Sequence, residues 1–169
     1  MGLSDTKAMA LRNIWRHWQS TALARFIDVR LRRSLSSPYR STRRGRLLDR
    51  RTVGDLGEIL AAQWLSQRGR KILYRNFRAL EGGEVDIVCR HGGTLTFVEV
   101  KTRTNTDLGR PADAVNQEKQ RLILRGARAW LALLGRPLIP TRCDVVEVVL
   151  TEGVAPVISV IEGAFMLER

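Results

Sequence analysis

The segment "EVDIVCRHGGTLTFVEVKTR", residues 84–103, decides the fold. Two apolar stretches rich in β-branched residues flank the turn sequence "HGG", and this pattern predicts a β-hairpin. The second stretch also carries Glu99 and Lys101 within an otherwise apolar run. Because Glu and Lys are almost never fully buried unless they are paired, two interpretations are open. Either this strand lies at a solvated edge of the sheet, or its charges are held inside for chemistry.

The alternation of side chains along a strand brings three charged residues together. Successive residues point to opposite faces, so Glu99 and Lys101 share a face of one strand. Asp86 lies on the neighbouring strand, about 4.8 Å away, and the three can converge at the open end of the hairpin. Two carboxylates so placed can contact one hard cation such as Mg²⁺. A lysine beside them can activate a water or stabilise developing negative charge. Taken alone, however, a Glu-x-Lys pair also fits a solvated surface salt bridge.

Helix and strand signals alternate on both sides of the hairpin. Thr52 is the predicted N-cap of a first helix over residues 53–68, and Gly69 is its predicted stop. A second long helix is predicted to open with Pro111 near its first position and Asp113 in its first turn, and to end near Gly135. Further strands are expected within residues 71–80, 141–150 and 156–162. The order α-β-β-β-α-β-β predicts an α/β fold with a mixed sheet flanked by helices.

Positive charge is concentrated near the N-terminus. Residues 1–50 carry twelve Lys or Arg and three acids, whereas residues 51–169 carry 17 and 14. We therefore divide the chain into a basic N-terminal extension, 1–50, and a domain, 51–169. The net charge of +12 favours a polyanionic partner such as nucleic acid or an anionic membrane.

The extension itself supports three interpretations. Helical spacing relates the apolar residues Leu11, Ile14, Trp15, Trp18, Ala22 and Phe26, and a linker rich in Arg, Ser, Pro and Gly follows. In the first, the extension is a loose tail, or its start codon is assigned too far upstream. In the second, it is an arm that binds the DNA backbone. In the third, it is a basic amphipathic helix that lies on a membrane.

The remaining composition limits the class of protein. Cys89 and Cys143 are far apart in the sequence and suggest no disulfide framework, so we expect a reducing compartment, the cytoplasm. His17 and His91 lack the spacing of zinc ligands. No apolar run reaches the length of a transmembrane helix, so no transmembrane segment is expected.

Several segments together resemble the YraN-type family of uncharacterised proteins. This family is related to the archaeal Holliday junction resolvases, within the restriction-endonuclease-like PD-(D/E)xK nucleases. The segments span about residues 50–165 and are "GDLGEILAAQWL", "RNFRALEGGEVDIV", "TFVEVKTR", "LGRPADAVNQEKQRL", "RCDVVEVV" and "IEGAF". The resemblance implies a restriction-endonuclease-like core that hydrolyses DNA phosphodiester bonds with Mg²⁺ or Mn²⁺. It also implies branched or junction DNA as the substrate class and, by analogy with resolvases, a homodimer.

The resemblance also assigns roles to residues of this chain. Asp86 and Glu99 match the metal ligands, Lys101 the catalytic lysine, and Glu58 a helix-borne catalytic acid. Gly83 and Glu84 belong to the family signature, and five residues occupy positions suited to holding phosphates: Arg75, Asn76, Thr102, Arg103 and Lys119.

Two other functions remain open from the sequence. The protein could keep this fold and bind nucleic acid without turnover, or it could use the basic extension at a membrane surface or in the assembly of a complex.

Overall fold

A five-stranded sheet lies at the centre of the protein in the computed structural model, which describes residues 48–104, 115–151 and 155–167. The described residues belong to one compact unit. The predicted order α-β-β-β-α-β-β and the α/β class are confirmed. The elements are α1 (Arg50–Gln67), β1 (Lys71–Arg78), β2 (Glu84–His91), β3 (Thr94–Arg103), α2 (Gln117–Leu133), β4 (Thr141–Val149) and β5 (Val157–Phe165).

The strands lie side by side in the order of the sequence. The pairs β1–β2, β2–β3 and β4–β5 are antiparallel, whereas β3 and β4 are parallel. A parallel pair needs a crossover connection, and α2 lies within the one that joins β3 to β4. The strand that carries Glu99 and Lys101 is therefore the central strand of the sheet. The edge-strand interpretation of these two residues is wrong.

The two helices pack on opposite faces of the sheet. Gly57 of α1 lies against the side chain of Thr102, whereas Lys119 of α2 contacts Glu99. Thr102 and Glu99 are three positions apart on β3, so their side chains point to opposite faces. The core therefore lies on both faces of the sheet. Phe97 belongs to the part under α2, and other apolar residues that are fully buried form the part under α1. Each large apolar side chain that is fully buried stabilises the fold by about 1.5–3 kcal/mol.

The first helix differs from the predicted one in its N-terminal cap. The N-cap of α1 is Asp49 rather than Thr52. Its carboxylate accepts hydrogen bonds from Thr52 N at 2.8 Å and from Thr52 Oγ1 at 2.9 Å, which makes Thr52 the donor. Gly69 follows the helix with a φ of 78°, a conformation that glycine adopts without steric cost, so the predicted stop is confirmed.

The second helix begins at Gln117, after the N-cap Asn116. The predicted opening at Pro111 is therefore wrong by six residues, and Pro111 and Asp113 themselves lie outside the described residues. So does the apolar stripe of the basic extension, and the domain division near residue 50 stays a prediction. Among the described residues, no helix is both long and apolar enough to span a membrane.

A buried ion-pair cluster joins the end of α1 to β4 and β5. Asp144 is fully buried and accepts hydrogen bonds from Arg70, Arg142 and the backbone N of Gly163. Arg70 is only 4% exposed, and both arginines also contact Glu162. Each buried charge therefore has an opposite charge as its partner, which is the condition for keeping it inside a fold.

The two cysteines are free thiols in the sheet. Cys89 of β2 and Cys143 of β4 are both fully buried. Burial raises the pKa of both thiols, that of Cys143 to about 12. The absence of a disulfide framework agrees with the expectation from the sequence.

Candidate active site

Strand pairing is irregular around Asp86. Counted from the turn, the β2–β3 ladder ends at the pair Ile87–Val98, so it stops one residue short of Asp86. On the other side the β1–β2 ladder passes over Asn76, which has a φ of 56°. Asn tolerates this left-handed conformation better than most residues. Asp86 therefore lies where the pairing of β2 with both neighbouring strands is interrupted.

The carboxylate of Asp86 bonds to the neighbouring strand. Val100 N donates a hydrogen bond of 2.8 Å to Asp86 Oδ2. This bond fixes the carboxylate beside β3, at the residue that lies between Glu99 and Lys101.

Asp86 and Glu99 form a pair of carboxylates with unequal surroundings. Glu99 is 2% exposed, and its Oε2 is buried without a hydrogen-bond partner. Burial raises the pKa of Asp86 well above its ordinary value, and the charge of Glu99 raises it further. The two carboxylates repel each other, so a cation bound between them would be strongly stabilised.

Two lysines contact the other oxygen of Glu99. Lys101 Nζ lies 2.9 Å and Lys119 Nζ lies 3.3 Å from Glu99 Oε1. Lys119 also donates a hydrogen bond to Glu84 Oε1. Burial alone would lower the pKa of Lys119, but the hydrogen bond to Glu84 and the charge of Glu99 raise it overall. The same hydrogen bond lowers the pKa of Glu84.

Glu58 of α1 lies near this pair, together with two residues of β1. Burial raises the pKa of Glu58, although the charge of Arg75 and a hydrogen bond from Asn76 act in the opposite direction. The charge of Glu99 contributes to the same increase, so the two carboxylates are close enough to interact. Glu58 Oε2 and Arg75 Nε are both buried without a hydrogen-bond partner. Glu58, which the family resemblance assigns as a helix-borne acid, thus lies within electrostatic reach of Glu99.

The residues predicted to hold phosphates are divided among four places. Lys119 joins the carboxylate cluster, whereas Arg75 and Asn76 lie at Glu58. Thr102 lies on the α1 face of β3. Arg103 Nε is 2.9 Å from an acid of β4, Glu147 Oε1.

A close backbone contact sets the position of α2 relative to β2. Gly83 has a φ of 111°, and a Cβ built on it would lie 2.6 Å from Gly126 N. A Cβ on Gly126 would in turn lie 3.0 Å from the backbone of Glu84. Larger residues at either position would push the helix away. Gly126 was not singled out from the sequence, because a lone glycine in a helical pattern gives no sign of the element that approaches it.

The donor set fits a hard divalent cation with few protein ligands. Within the described ranges, no three His, Cys, Asp or Glu side chains are grouped so that they could hold a metal ion together. Asp86 and Glu99 nevertheless offer two carboxylates, one of which has an unpartnered buried oxygen. Mg²⁺ is commonly held by one or two carboxylates, while waters and substrate phosphates complete its shell. This pair therefore fits Mg²⁺ or Mn²⁺ rather than a metal that needs an all-protein cage.

Comparison with known proteins places the chain among relatives of similar sequence. It matches the description "Uncharacterised protein family UPF0102" over residues 57–148, a range that includes every predicted site residue. A UPF0102 protein of Trichlorobacter lovleyi is 47% identical over 116 residues, which cover 68% of this chain and 91% of that protein. One from Geotalea daltonii is 43% identical over 119 residues, covering 70% and 93%. One from Geobacter sulfurreducens is 46% identical over 115 residues, covering 68% and 89%. The chain therefore belongs to the uncharacterised protein family UPF0102, the YraN-type family that its motifs resemble.

Proposed function

We propose that the protein hydrolyses DNA phosphodiester bonds with Mg²⁺ or Mn²⁺ as cofactor. The observation that carries this proposal is the environment of Glu99. This buried carboxylate has one oxygen shared by two lysines and another without a partner, and it lies beside a second carboxylate, Asp86. A buried oxygen without a partner is costly and calls for an explanation, and a bound cation would supply the missing partner.

Asp86 and Glu99 are the residues that would hold the ion. A bound Mg²⁺ or Mn²⁺ supplies Lewis-acid polarisation of a phosphoryl oxygen and lowers the pKa of a bound water. The chain itself orients these ligands through the Val100 N–H, which holds Asp86, and through the central position of β3, which holds Glu99.

Lys101 is the candidate catalytic lysine. Its side chain is 26% exposed, so the ammonium can reach a phosphate from the site while it stays beside Glu99. A fixed positive charge there stabilises the negative charge that develops on a phosphate during hydrolysis. Glu58 is a further acid at the edge of the site, and its raised pKa suits a proton-transfer role.

A nucleic-acid substrate follows from the charge of the chain. The net charge is +12, and most of it lies in residues 1–50. Such a charge attracts polyanions whatever their sequence. Branched or junction DNA as the preferred substrate, and a homodimer that acts on it, are parts of the proposal that rest on the resemblance to resolvases.

The test is a cleavage assay on linear, flapped and four-way DNA with Mg²⁺, Mn²⁺ or EDTA. The wild type should cut in a metal-dependent manner. Lys101→Met should lower the cleavage rate by about a hundredfold or more, since it removes one charge-stabilising group. Its DNA binding should lose only about one phosphate contact, seen as a decrease of roughly 1 in the salt slope.

The matched control is Lys71→Met, which removes the same charge from an exposed position of β1. It should change neither cleavage nor binding appreciably. If Lys101→Met and Lys71→Met cut DNA at the same rate, the role of Lys101 is wrong. If the wild type binds DNA but cuts none of these substrates with either metal, the protein is a nucleic-acid-binding relative without turnover. If it binds anionic vesicles and no DNA, the membrane-surface function replaces the nuclease.

A further inference from the structure

Glu99 Oε1 is contacted by both lysines of the site, Lys101 and Lys119. The two ammonium groups therefore occupy the space around a predicted metal ligand. A divalent cation that binds Glu99 meets two positive charges already beside it. At least one of them must move away for the ion to bind tightly, because like charges at this distance repel strongly in a partly buried site.

Lys119 has a second carboxylate within reach, and that carboxylate is Glu84. Its Nζ is hydrogen-bonded to Glu84 Oε1 while it lies 3.3 Å from Glu99 Oε1. The side chain of Glu84 is 32% exposed, whereas that of Glu99 is 2% exposed. Lys119 can thus leave the buried carboxylate without losing its ion pair.

The backbone fixes Glu84 at the required distance from α2. Gly83 and Gly126 allow the start of β2 to touch the helix, since a Cβ would not fit at Gly83 and would be very tight at Gly126. Lys119 is seven residues, or two helical turns, before Gly126. Residues at that spacing lie on the same helix face, so the glycine contact also directs Lys119 toward Glu84.

We infer that Glu84 is a positioning residue for metal binding, which draws Lys119 away from Glu99 when a divalent ion occupies the carboxylate pair. This inference rests on the metal site of the proposed function. It adds that the resident lysine and the ion compete for Glu99, and that Glu84 sets the outcome of that competition.

The experiment is calorimetry of Mn²⁺ binding to the full chain and to four variants. Glu84→Gln should weaken Mn²⁺ binding by about 10- to 100-fold, the range typical of residues that orient metal ligands from outside the coordination shell. Lys119→Met should bind Mn²⁺ at least as tightly as the wild type, because it lacks the competing charge. In the double variant Glu84→Gln/Lys119→Met, the loss caused by Glu84→Gln should disappear. Glu118→Gln, an exposed acid next to Lys119, is the charge-matched control and should bind as the wild type does.

A shorter acid separates positioning from charge alone. Glu84→Asp keeps the negative charge but draws the carboxylate back from Lys119, so it should weaken Mn²⁺ binding as Glu84→Gln does. Two results would overturn the inference, because each would mean that Glu84 acts through its charge on the ion. The first is wild-type Mn²⁺ affinity in Glu84→Asp. The second is an equal loss of Mn²⁺ affinity from Glu84→Gln whether or not Lys119 is present. Failure of the wild type to bind Mn²⁺ would overturn it as well. If the variants behave as expected but the wild type cuts no DNA, the inference stands and the proposed nuclease activity fails.

Discussion

Replacing Gly57 with alanine should destabilise the protein, although alanine is favoured over glycine in a helix by about 1 kcal/mol. Gly57 is buried in α1 against β3. A Cβ at this position would lie 1.8 Å from Thr102 Oγ1 and 2.8 Å from Thr102 Cβ. Rotation of the threonine side chain can move Oγ1 away, but it cannot move Cβ. The helix must therefore shift outward by about 1 Å to restore an ordinary contact of about 3.5–4.0 Å.

The expected size follows from two opposing effects. Overpacking of a closely packed site typically costs about 1–3 kcal/mol. The helix preference of alanine offsets about 1 kcal/mol of that cost. The net cost is then about 0–2 kcal/mol. We expect Gly57→Ala to lower the free energy of unfolding by the upper half of this range, about 1–2 kcal/mol, because a rotamer change cannot relieve the contact with Cβ.

Gly54 provides a control in the same helix. A Cβ at Gly54 meets nothing within 4 Å, so Gly54→Ala should stabilise the protein by about 0.5–1 kcal/mol. Urea unfolding followed by circular dichroism measures both variants. Adding Thr102→Ala to Gly57→Ala should recover part of the loss, since it removes Oγ1 and Cγ2 but leaves Cβ. If Gly57→Ala and Gly54→Ala stabilise the protein equally, α1 does not lie as close to β3 as described here.

Three other changes have expected outcomes. Asp86→Asn should raise the thermal unfolding midpoint of the metal-free protein at pH 7, because folding raises the pKa of this carboxyl and its ionised form destabilises the native state. The gain should vanish below about pH 4, where the carboxyl is protonated in both the folded and the unfolded state. A loss of stability at pH 7 would contradict the reasoning. Asp144→Asn should lower the free energy of unfolding in urea by about 3–5 kcal/mol, because it leaves the buried Arg70 without a full partner. Glu162→Gln changes a side chain that is 42% exposed and should cost less than about 1 kcal/mol. Similar losses in the two variants would refute this account of the cluster. Deletion of residues 1–47, which keeps the N-cap Asp49, should weaken DNA binding and reduce its salt dependence without unfolding the domain; an unchanged salt slope would show that the extension makes no phosphate contacts.

Local patterns were sufficient to predict the order of the elements and to select the residues of the candidate site. Turn sequences and β-branched runs located the β2–β3 hairpin, and alternation along each strand related Asp86 to Glu99 and Lys101. These features depend on residues close together in the sequence. The prediction of Thr52 as N-cap was wrong, because Thr and Asp are both good caps and only the hydrogen bond from Thr52 to Asp49 shows which one accepts.

Contacts between distant segments could not be predicted in this way. The pair Arg70–Asp144 joins residues 74 positions apart, and the pair Lys119–Glu84 joins residues 35 positions apart. Each depends on how a helix is placed over the sheet, which the periodicity of the helix does not specify. For the same reason Glu84 entered the sequence argument only as a signature residue, and its contact with Lys119 became visible only in three dimensions.

The two buried cysteines give the chain native probes of sheet opening. Cys89 and Cys143 lie in β2 and β4, on either side of the central strand β3. Since the thiolate is the reacting form, buried thiols with raised pKa values react with alkylating reagents only after the surrounding structure opens. Labelling rates at the two positions therefore report separately on the β2 and β4 sides of the strand that carries Glu99 and Lys101. Local opening beside the site can thus be followed in the unmodified sequence, with and without metal or DNA.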